Sequence, residues 1–239
     1  MSGRQSQSGV TLIELLIAIT LVALLSVGML FAIRVGLNAM DRANARLMAN
    51  RKVVSVERIL EQQVAGIMPV TAICASGGDA PAAKVPFFQG ETGTMRFVSS
   101  YSMHEGARGY PHILEYQVIP GENNSGVRLV VNEWLYSGPL STGATCRGTG
   151  PEGTQYVPVA IGANSFVLAD KLAVCRLSFR EAVPPPELSR WVIHWIRPIL
   201  PTAIRVEMAP LDPESSRVQL QTLTIPVHVN RFPMERYDF

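Results

Sequence analysis

The sequence is poor in charged residues and in cysteine, and its charges nearly balance. Charged side chains make up 17% of the 239 residues, and 21 basic against 19 acidic residues leave a net charge of +2. This balance excludes a strongly basic nucleic-acid-binding footprint for the chain as a whole, so we expect no nucleic acid partner. The three cysteines have no CxxC spacing, which excludes a zinc ribbon and a disulfide-dense mini-scaffold.

Motifs for catalysis or metal binding are also missing. The sequence contains no GxSxG and no GxxxxGK[ST], and its four histidines form no HExxH pair. His112 and Glu115 lie on a predicted strand at a spacing that points them to opposite faces. We therefore expect a protein that is not an enzyme, with no catalytic residue, no cofactor and no metal site.

Most of the excess hydrophobicity lies in the first forty residues. The run from Leu15 to Ile33 carries no charge, and as a helix it would be about 28 Å long, close to the thickness of a bilayer core. A cleaved secretory signal has a shorter apolar run that ends at a small-residue cleavage site, and no such site follows here. The run predicts a membrane-spanning helix or a span-like packing helix.

Glu14 stands at the start of this apolar run. An ionised carboxylate in the membrane costs about 3 kcal/mol on insertion scales, so Glu14 either reaches the headgroups or needs a cationic partner. Gly9 followed by Val10-Thr11-Leu12-Ile13-Glu14-Leu15-Leu16 resembles the type IV prepilin signal. The resemblance implies that prepilin peptidase cuts after Gly9 and methylates Val10, where the family usually has Phe. It also implies that Glu14 pairs with the N-terminal amine of a neighbouring subunit in a filament.

The charges around the span give a conflicting indication of orientation. Only Arg4 precedes the span, whereas five basic residues follow it, namely Arg34, Arg42, Arg46, Arg51 and Lys52. The positive-inside rule would place the C-terminal side in the cytoplasm. The prepilin resemblance implies the opposite orientation, and we follow it.

The apolar spacing predicts one long helix from Val10 to Ile67, ended by Gly66 and Pro69. Its second half carries a core-facing stripe at Val53, Val56, Leu60, Val64 and Ile67. Its first half has no core of its own and needs lipid or other subunits.

The remaining chain predicts an antiparallel sheet and hence an α+β class, because no crossover helices separate its strands. Segment 70–94 is expected to be a loop with little regular structure, and the Gly-rich segment 137–156 a mobile insertion. A hairpin is predicted from 113–119 and 127–134, with residues 120–126 connecting them. Further strands are predicted at 95–98, 165–168, 173–179, 191–196, 203–208 and 218–227.

This layout resembles the minor pseudopilin J family of type II secretion. The matching segments are Cys175–Phe179, the tryptophans Trp191 and Trp195, and the strand Leu200–Glu207. The resemblance implies a pilin-like fold with a leader peptide at 1–9, a transmembrane and filament-core helix at 10–37, and a periplasmic globular domain at 38–239. It implies a structural subunit near the tip of a filament that supports protein secretion.

The partners implied are prepilin peptidase, the I-type and K-type minor pseudopilins, the major pseudopilin and the bacterial inner membrane. Two alternatives remain open. One is a W-type minor pilin of a type IV pilus, and the other is a single-pass anchored binding or enzyme domain that never joins a filament.

Three cysteines leave at least one unpaired. Cys74 and Cys146 lie in predicted loops, and we favour a disulfide between them if the globular part lies outside the cytoplasm. The alternative that no cysteine is bonded stays open. Cys175, Leu177 and Phe179 alternate onto one strand face, which predicts a buried thiol. Trp191 and Trp195 are expected to share a strand face, packed in the core or presented to a partner.

Overall fold

The computed structural model describes residues 10–74, 82–150, 153–163, 165–212 and 222–229. The chain divides into two compact units, Met1–Met48 and Ala49–Phe239. Helix α1 (Leu12–Ala65) begins in the first unit and ends in the second. The prediction of one long helix is thus confirmed, and its predicted ends are within two residues of the observed ones.

The helix ends where the chain enters the sheet. Gly66 donates its N–H to the Gln62 carbonyl at 3.0 Å, and its own carbonyl accepts the Ser100 N–H at 2.9 Å. A Cβ at Gly66 would lie 2.7 Å from the Ser99 hydroxyl, so a glycine permits this close approach. Ile67, predicted as the last helical residue, instead lies in the first strand.

The strands of the second unit are short at the start of the chain and long in its middle. In order they are β1 (Ile67–Met68), β2 (Thr71–Cys74), β3 (Ala83–Pro86), β4 (Gln89–Glu91), β5 (Thr94–Ser102), β6 (Ala107–Pro120), β7 (Val127–Leu135), β8 (Cys146–Gly150), β9 (Gly153–Tyr156), β10 (Phe166–Ala182), β11 (Ser189–Val192), β12 (His194–Trp195), β13 (Ala203–Pro210) and β14 (Leu223–Pro226). A short helix α2 (Pro139–Gly143) follows β7.

Within the described residues, ten of these strands form one sheet in the order β12-β4-β5-β6-β7-β10-β13-β14, with β1 on β5 and β11 on β10. Every pairing in it is antiparallel, as predicted. The predicted hairpin is β6 and β7, whose register joins Pro120 to Val127. Its connection is one residue shorter than expected because Pro120 still belongs to the strand.

Several strand predictions need correction. The two strands predicted at 165–168 and 173–179 are one bulged strand, β10, which pairs with β7 near its start and with β13 near its end. The strand predicted at 191–196 is split into β11 and β12, which pair with different neighbours. The strand predicted at 218–227 is described only from residue 222, and its earlier part lies outside the described residues.

The two segments that were expected to lack regular structure contain strands. Segment 70–94 contains β2, β3 and β4, and segment 137–156 contains α2 and the paired strands β8 and β9. The five strands are only three to five residues long and Gly interrupts three of them, so the sequence carries little strand pattern there. Contacts with the rest of the unit, and not local propensity, hold them in place.

The sheet has a core on each face. The last turns of α1 pack on one face, where Val56, Leu60 and Val64 join Phe97 and Leu114 in the main apolar cluster. The next residues along the same strands, Val98 and Ile113, turn to the other face. There they pack with Ala72, Cys74 and Phe87 from the β2–β3 layer. The core-facing stripe predicted for the second half of α1 is therefore confirmed.

Candidate functional site

The N-terminal candidate residues lie at the start of α1. Val10 and Thr11 precede the helix, and Glu14 lies in its first turn. The Thr11 carbonyl accepts the N–H groups of Glu14 and Leu15 at 3.1 and 3.2 Å, which closes the first turn. The positive end of the helix dipole favours a carboxylate at this place by about 0.3–1 kcal/mol. Gly9, the predicted cleavage residue, lies outside the described residues.

The first half of α1 is apolar on all sides and uncovered. The described residues contain one helix that is long and apolar enough to cross a membrane, Leu12–Ala45. Its most apolar stretch has a mean hydropathy of 2.7, and no residue of that stretch is buried. The hydroxyls of Thr20 and Ser26 donate to the Ile17 and Val22 carbonyls at 2.9 and 2.8 Å. These polar groups are satisfied within the helix itself, which suits an apolar surrounding.

Comparison with known proteins identifies this segment. Residues 4–30 match the family model described as the prokaryotic N-terminal methylation motif. The N-terminus carries a type IV pilin-like prepilin signal. No curated protein and no solved structure matches the chain. The motif implies processing by prepilin peptidase, and the apolar helix behind it is consistent with a single-pass anchor.

Behind the pilin-like signal, the second half of α1 is joined to the sheet by a buried polar cluster. The Gln63 amide donates to Glu133 Oε1 at 2.9 Å and accepts the Tyr116 hydroxyl. Glu133 also accepts the Ser102 hydroxyl and the N–H groups of Met103 and His104. Burial, with a further contribution from the Glu133 charge, raises the pKa of Tyr116, which therefore stays neutral and donates this hydrogen bond.

A second buried cluster lies on the opposite face of the sheet. Arg96 and Glu115 are directly opposed on β5 and β6 and form an ion pair at 2.8 Å, with side chains only 1% and 8% exposed. Arg96 also donates to Gln89 and to the Val157 carbonyl, and Trp134 donates to the second carboxylate oxygen at 2.9 Å. The bond to Val157 ties the segment after β9 to the sheet.

The same layer is linked covalently. Cys74 at the end of β2 and Cys146 at the start of β8 form a disulfide with a Cα–Cα distance of 5.5 Å, the pair favoured from the sequence. Cys175 is a buried free thiol on the face of β10 that also carries Leu177 and Phe179. Burial raises the pKa of Cys175 to about 12, so this thiol is not a reactive nucleophile at neutral pH.

The described residues bring together no catalytic or metal-binding set. No group of three His, Cys, Asp or Glu side chains that could hold a metal ion occurs in the described part of the chain. Gly148, Gly150 and Gly153 have the spacing of a dinucleotide-binding loop, but they lie in the paired strands β8 and β9 and not between a strand and a helix. That context excludes phosphate binding at a helix N-terminus there.

The two predicted neighbours Trp191 and Trp195 do not share a strand. Trp195 is buried beside Phe88 and Phe179, as core packing predicts. Trp191 lies on β11 and is covered by the Arg205 guanidinium, 3.8 Å from its ring centre. The chain turns between them at Ile193, which is 64% exposed.

The polar residues in the two buried clusters were not predicted from the sequence. One local signal was available, because Arg96 interrupts the apolar run Met95–Val98. A charge in a strand with both faces buried requires a partner. The identity of that partner depends on the register of β5 on β6, which the sequence alone does not specify.

Proposed function

We propose that the chain is a minor pseudopilin of the J type, a structural subunit near the tip of the type II secretion filament. The observation that carries the proposal is the prepilin signal directly in front of an apolar half-helix with no internal partner. An apolar helix surface of this length is stable only in lipid or among other apolar helices.

In this proposal each segment has its own role. Residues 1–9 are a leader that prepilin peptidase removes after Gly9, and Val10 becomes the methylated N-terminus. Residues 10–37 anchor the subunit in the inner membrane and then enter the filament core, and residues 38–239 form the periplasmic domain. Glu14 has no ion-pair partner among the described residues, which supports a partner in a neighbouring subunit, its N-terminal amine.

The first experiment tests the processing of the N-terminus. The full chain is purified from membranes with and without coexpressed prepilin peptidase, and its N-terminal sequence and intact mass are measured. We expect N-methylated Val10 only with the peptidase, and loss of cleavage in Gly9→Val but not in Gly3→Val, a matched change within the leader. An intact Met1 end under both conditions would show an anchored domain outside any filament.

The second experiment tests the J-type assignment, for which the support is the antiparallel sheet and the segment Leu200–Glu207, which enters β13 at Ala203. The chain is copurified with candidate partner subunits. We expect I-type and K-type pseudopilins together with the major pseudopilin, and a loss of recovery in Glu14→Gln. Glu61→Gln, an exposed glutamate in the second half of α1, should behave as the unchanged chain. Recovery of pilus subunits alone would favour the W-type minor pilin.

A further inference from the structure

The sheet face opposite α1 differs between its two halves. Over β5 and β6 it is covered by the β2–β3 layer. On β10 and β13 the residues that alternate with the core positions point to the same side, and in the middle of these strands they are polar. We call this surface the arginine face and define it by Arg176, Ser178, Arg180 and Arg205, together with Trp191.

Strand register brings these side chains together. Ser178 is directly opposite Arg205, and Arg180 is directly opposite Trp191. The Arg205 guanidinium lies on the Trp191 ring at 3.8 Å, a cation–π arrangement that fixes its plane. The Arg180 Nε donates to the Thr202 hydroxyl at 3.0 Å, which orients the second guanidinium.

Two polar atoms in the middle of the face have no partner. The Arg205 Nε and the Ser178 hydroxyl are both buried and make no hydrogen bond. A buried donor without an acceptor costs free energy comparable to a lost hydrogen bond, about 1–3 kcal/mol.

The charges on the face are also uncompensated. None of its three arginines forms an ion pair within 4 Å of a described carboxylate. The acid of the same face is Glu207, directly opposite Arg176. Among the described residues of this face, three guanidinium groups against one carboxylate leave an excess of positive charge on adjoining strands.

We propose that the arginine face docks an extended acidic segment of a partner protein. Carboxylates match the paired donors of a guanidinium, and arginine held by stacking loses little freedom on binding them. Arg176 and Arg180 are four residues apart on one strand, so alternate carboxylates of an extended peptide would follow the same repeat. The inference concerns the second unit alone and does not depend on the pilin-like function.

The test measures binding of a labelled peptide of alternating Glu and Ser to the full chain in nonionic detergent, by fluorescence anisotropy. We expect Arg205→Gln and Arg180→Gln to weaken binding about tenfold each, as the loss of one charge-assisted hydrogen bond predicts. Arg108→Gln and Arg147→Gln remove the same charge from exposed positions on β6 and β8 and should change affinity less than about twofold. A Lys and Ser peptide should not bind.

Three results would overturn the proposal. One is equal weakening by the control variants, which would show attraction by net charge. The second is displacement of the peptide by inorganic phosphate at equal charge concentration, which would show a site for small anions. The third is unchanged binding in Arg176→Gln, which we expect to weaken binding about threefold. Arg176 is exposed, so this variant remains a test if Arg205→Gln does not fold.

Discussion

The two halves of α1 have the same secondary structure and opposite surroundings. In the first unit, Leu24 is 69% exposed and the neighbouring apolar residues are equally uncovered. In the second unit, Leu60 and Val64 are completely buried against the sheet. The comparison shows that a helical pattern with many apolar residues does not by itself indicate a core. Which half is covered depends on whether the chain supplies a sheet face for it.

The polar groups follow the same division. Those of the first half either bond to their own helix, as Thr20 and Ser26 do, or have no partner in the described chain, as for Glu14. Those of the second unit bond across the fold, as Gln63 does with Glu133. The second unit therefore has polar contacts across its fold, whereas the described side-chain hydrogen bonds of the first lie within its own helix. Four substitution experiments test this difference.

The largest effect is expected at the buried ion pair of the second unit. Arg96→Met leaves the Glu115 carboxylate buried without its cation, and we expect unfolding to become easier by about 3–5 kcal/mol. This loss of stability is measured by thermal unfolding of the full chain in detergent. Arg108→Met, at an exposed position, is the control.

The double variant Arg96→Met with Glu115→Leu separates a buried charge from lost packing. Removing both charges should recover about 2 kcal/mol or more of the loss, because no uncompensated carboxylate remains. If the double variant is less stable than Arg96→Met alone, the ion pair is not the source of the effect.

The next prediction compares leucine-to-alanine substitutions in the two halves of α1. Leu60→Ala removes a buried side chain and should cost about 3 kcal/mol of unfolding free energy. Leu24→Ala should cost less than about 0.5 kcal/mol in the same detergent experiment, because its side chain has no core to leave. Equal losses of unfolding free energy in the two variants would mean that the first half of α1 also packs in a folded core.

The sequence predicted α1 and the β6–β7 hairpin because each rests on a local pattern, and it predicted the antiparallel sheet because no crossover helices separate the strands. The period of α1 and the turn cluster around Asn123 are visible within a few residues. The β2–β3 and β8–β9 pairs were missed because each strand is only four or five residues long and stands among Gly, Ala and Pro, which leaves little β pattern to recognise. They form strands through long-range contacts, which include the Cys74–Cys146 bond across 72 residues.

The candidate site residues differ in the same way, because some belong to a local motif and others depend on long-range contacts. The prepilin signal is a contiguous motif, so it could be recognised from the sequence, and the roles of Gly9, Val10 and Glu14 in it stay predictions. The Arg96–Glu115 pair and the arginine face depend on strand register, and the Arg205–Trp191 contact joins residues of two strands that both pair with β10. A shift of one residue in that register would place these side chains on the other face.

The disulfide closes a loop across 72 residues and should contribute about 4 kcal/mol, mainly by restricting the unfolded chain. Reductant should lower the unfolding temperature of the unchanged chain and of Cys175→Ala. It should not affect the Cys74→Ala, Cys146→Ala double variant, whose unfolding temperature is already lower because the disulfide is missing. If reductant also lowers the double variant, the effect comes from elsewhere than this bond.

The smallest effect concerns a partnered acid in the second unit. The hydrogen bond from Arg190, with a further contribution from Arg197, lowers the pKa of Glu181 against the opposing effect of burial. A pKa lowered by folding stabilises the folded state above the unfolded pKa of about 4.3, and this stabilisation is lost as the pH falls below it. Both arginines are more than half exposed, at 56% and 53%, so solvent screening keeps the effect small.

The expected result is a difference between two glutamates that lie in the two regions compared. Glu181→Gln should lower the unfolding temperature at pH 7 and reduce its further fall between pH 5 and pH 3. Glu14→Gln should leave the unfolding temperature at pH 7 unchanged, because that carboxylate has no ion-pair partner among the described residues. An equal fall of the unfolding temperature in Glu14→Gln would contradict this difference between the two glutamates.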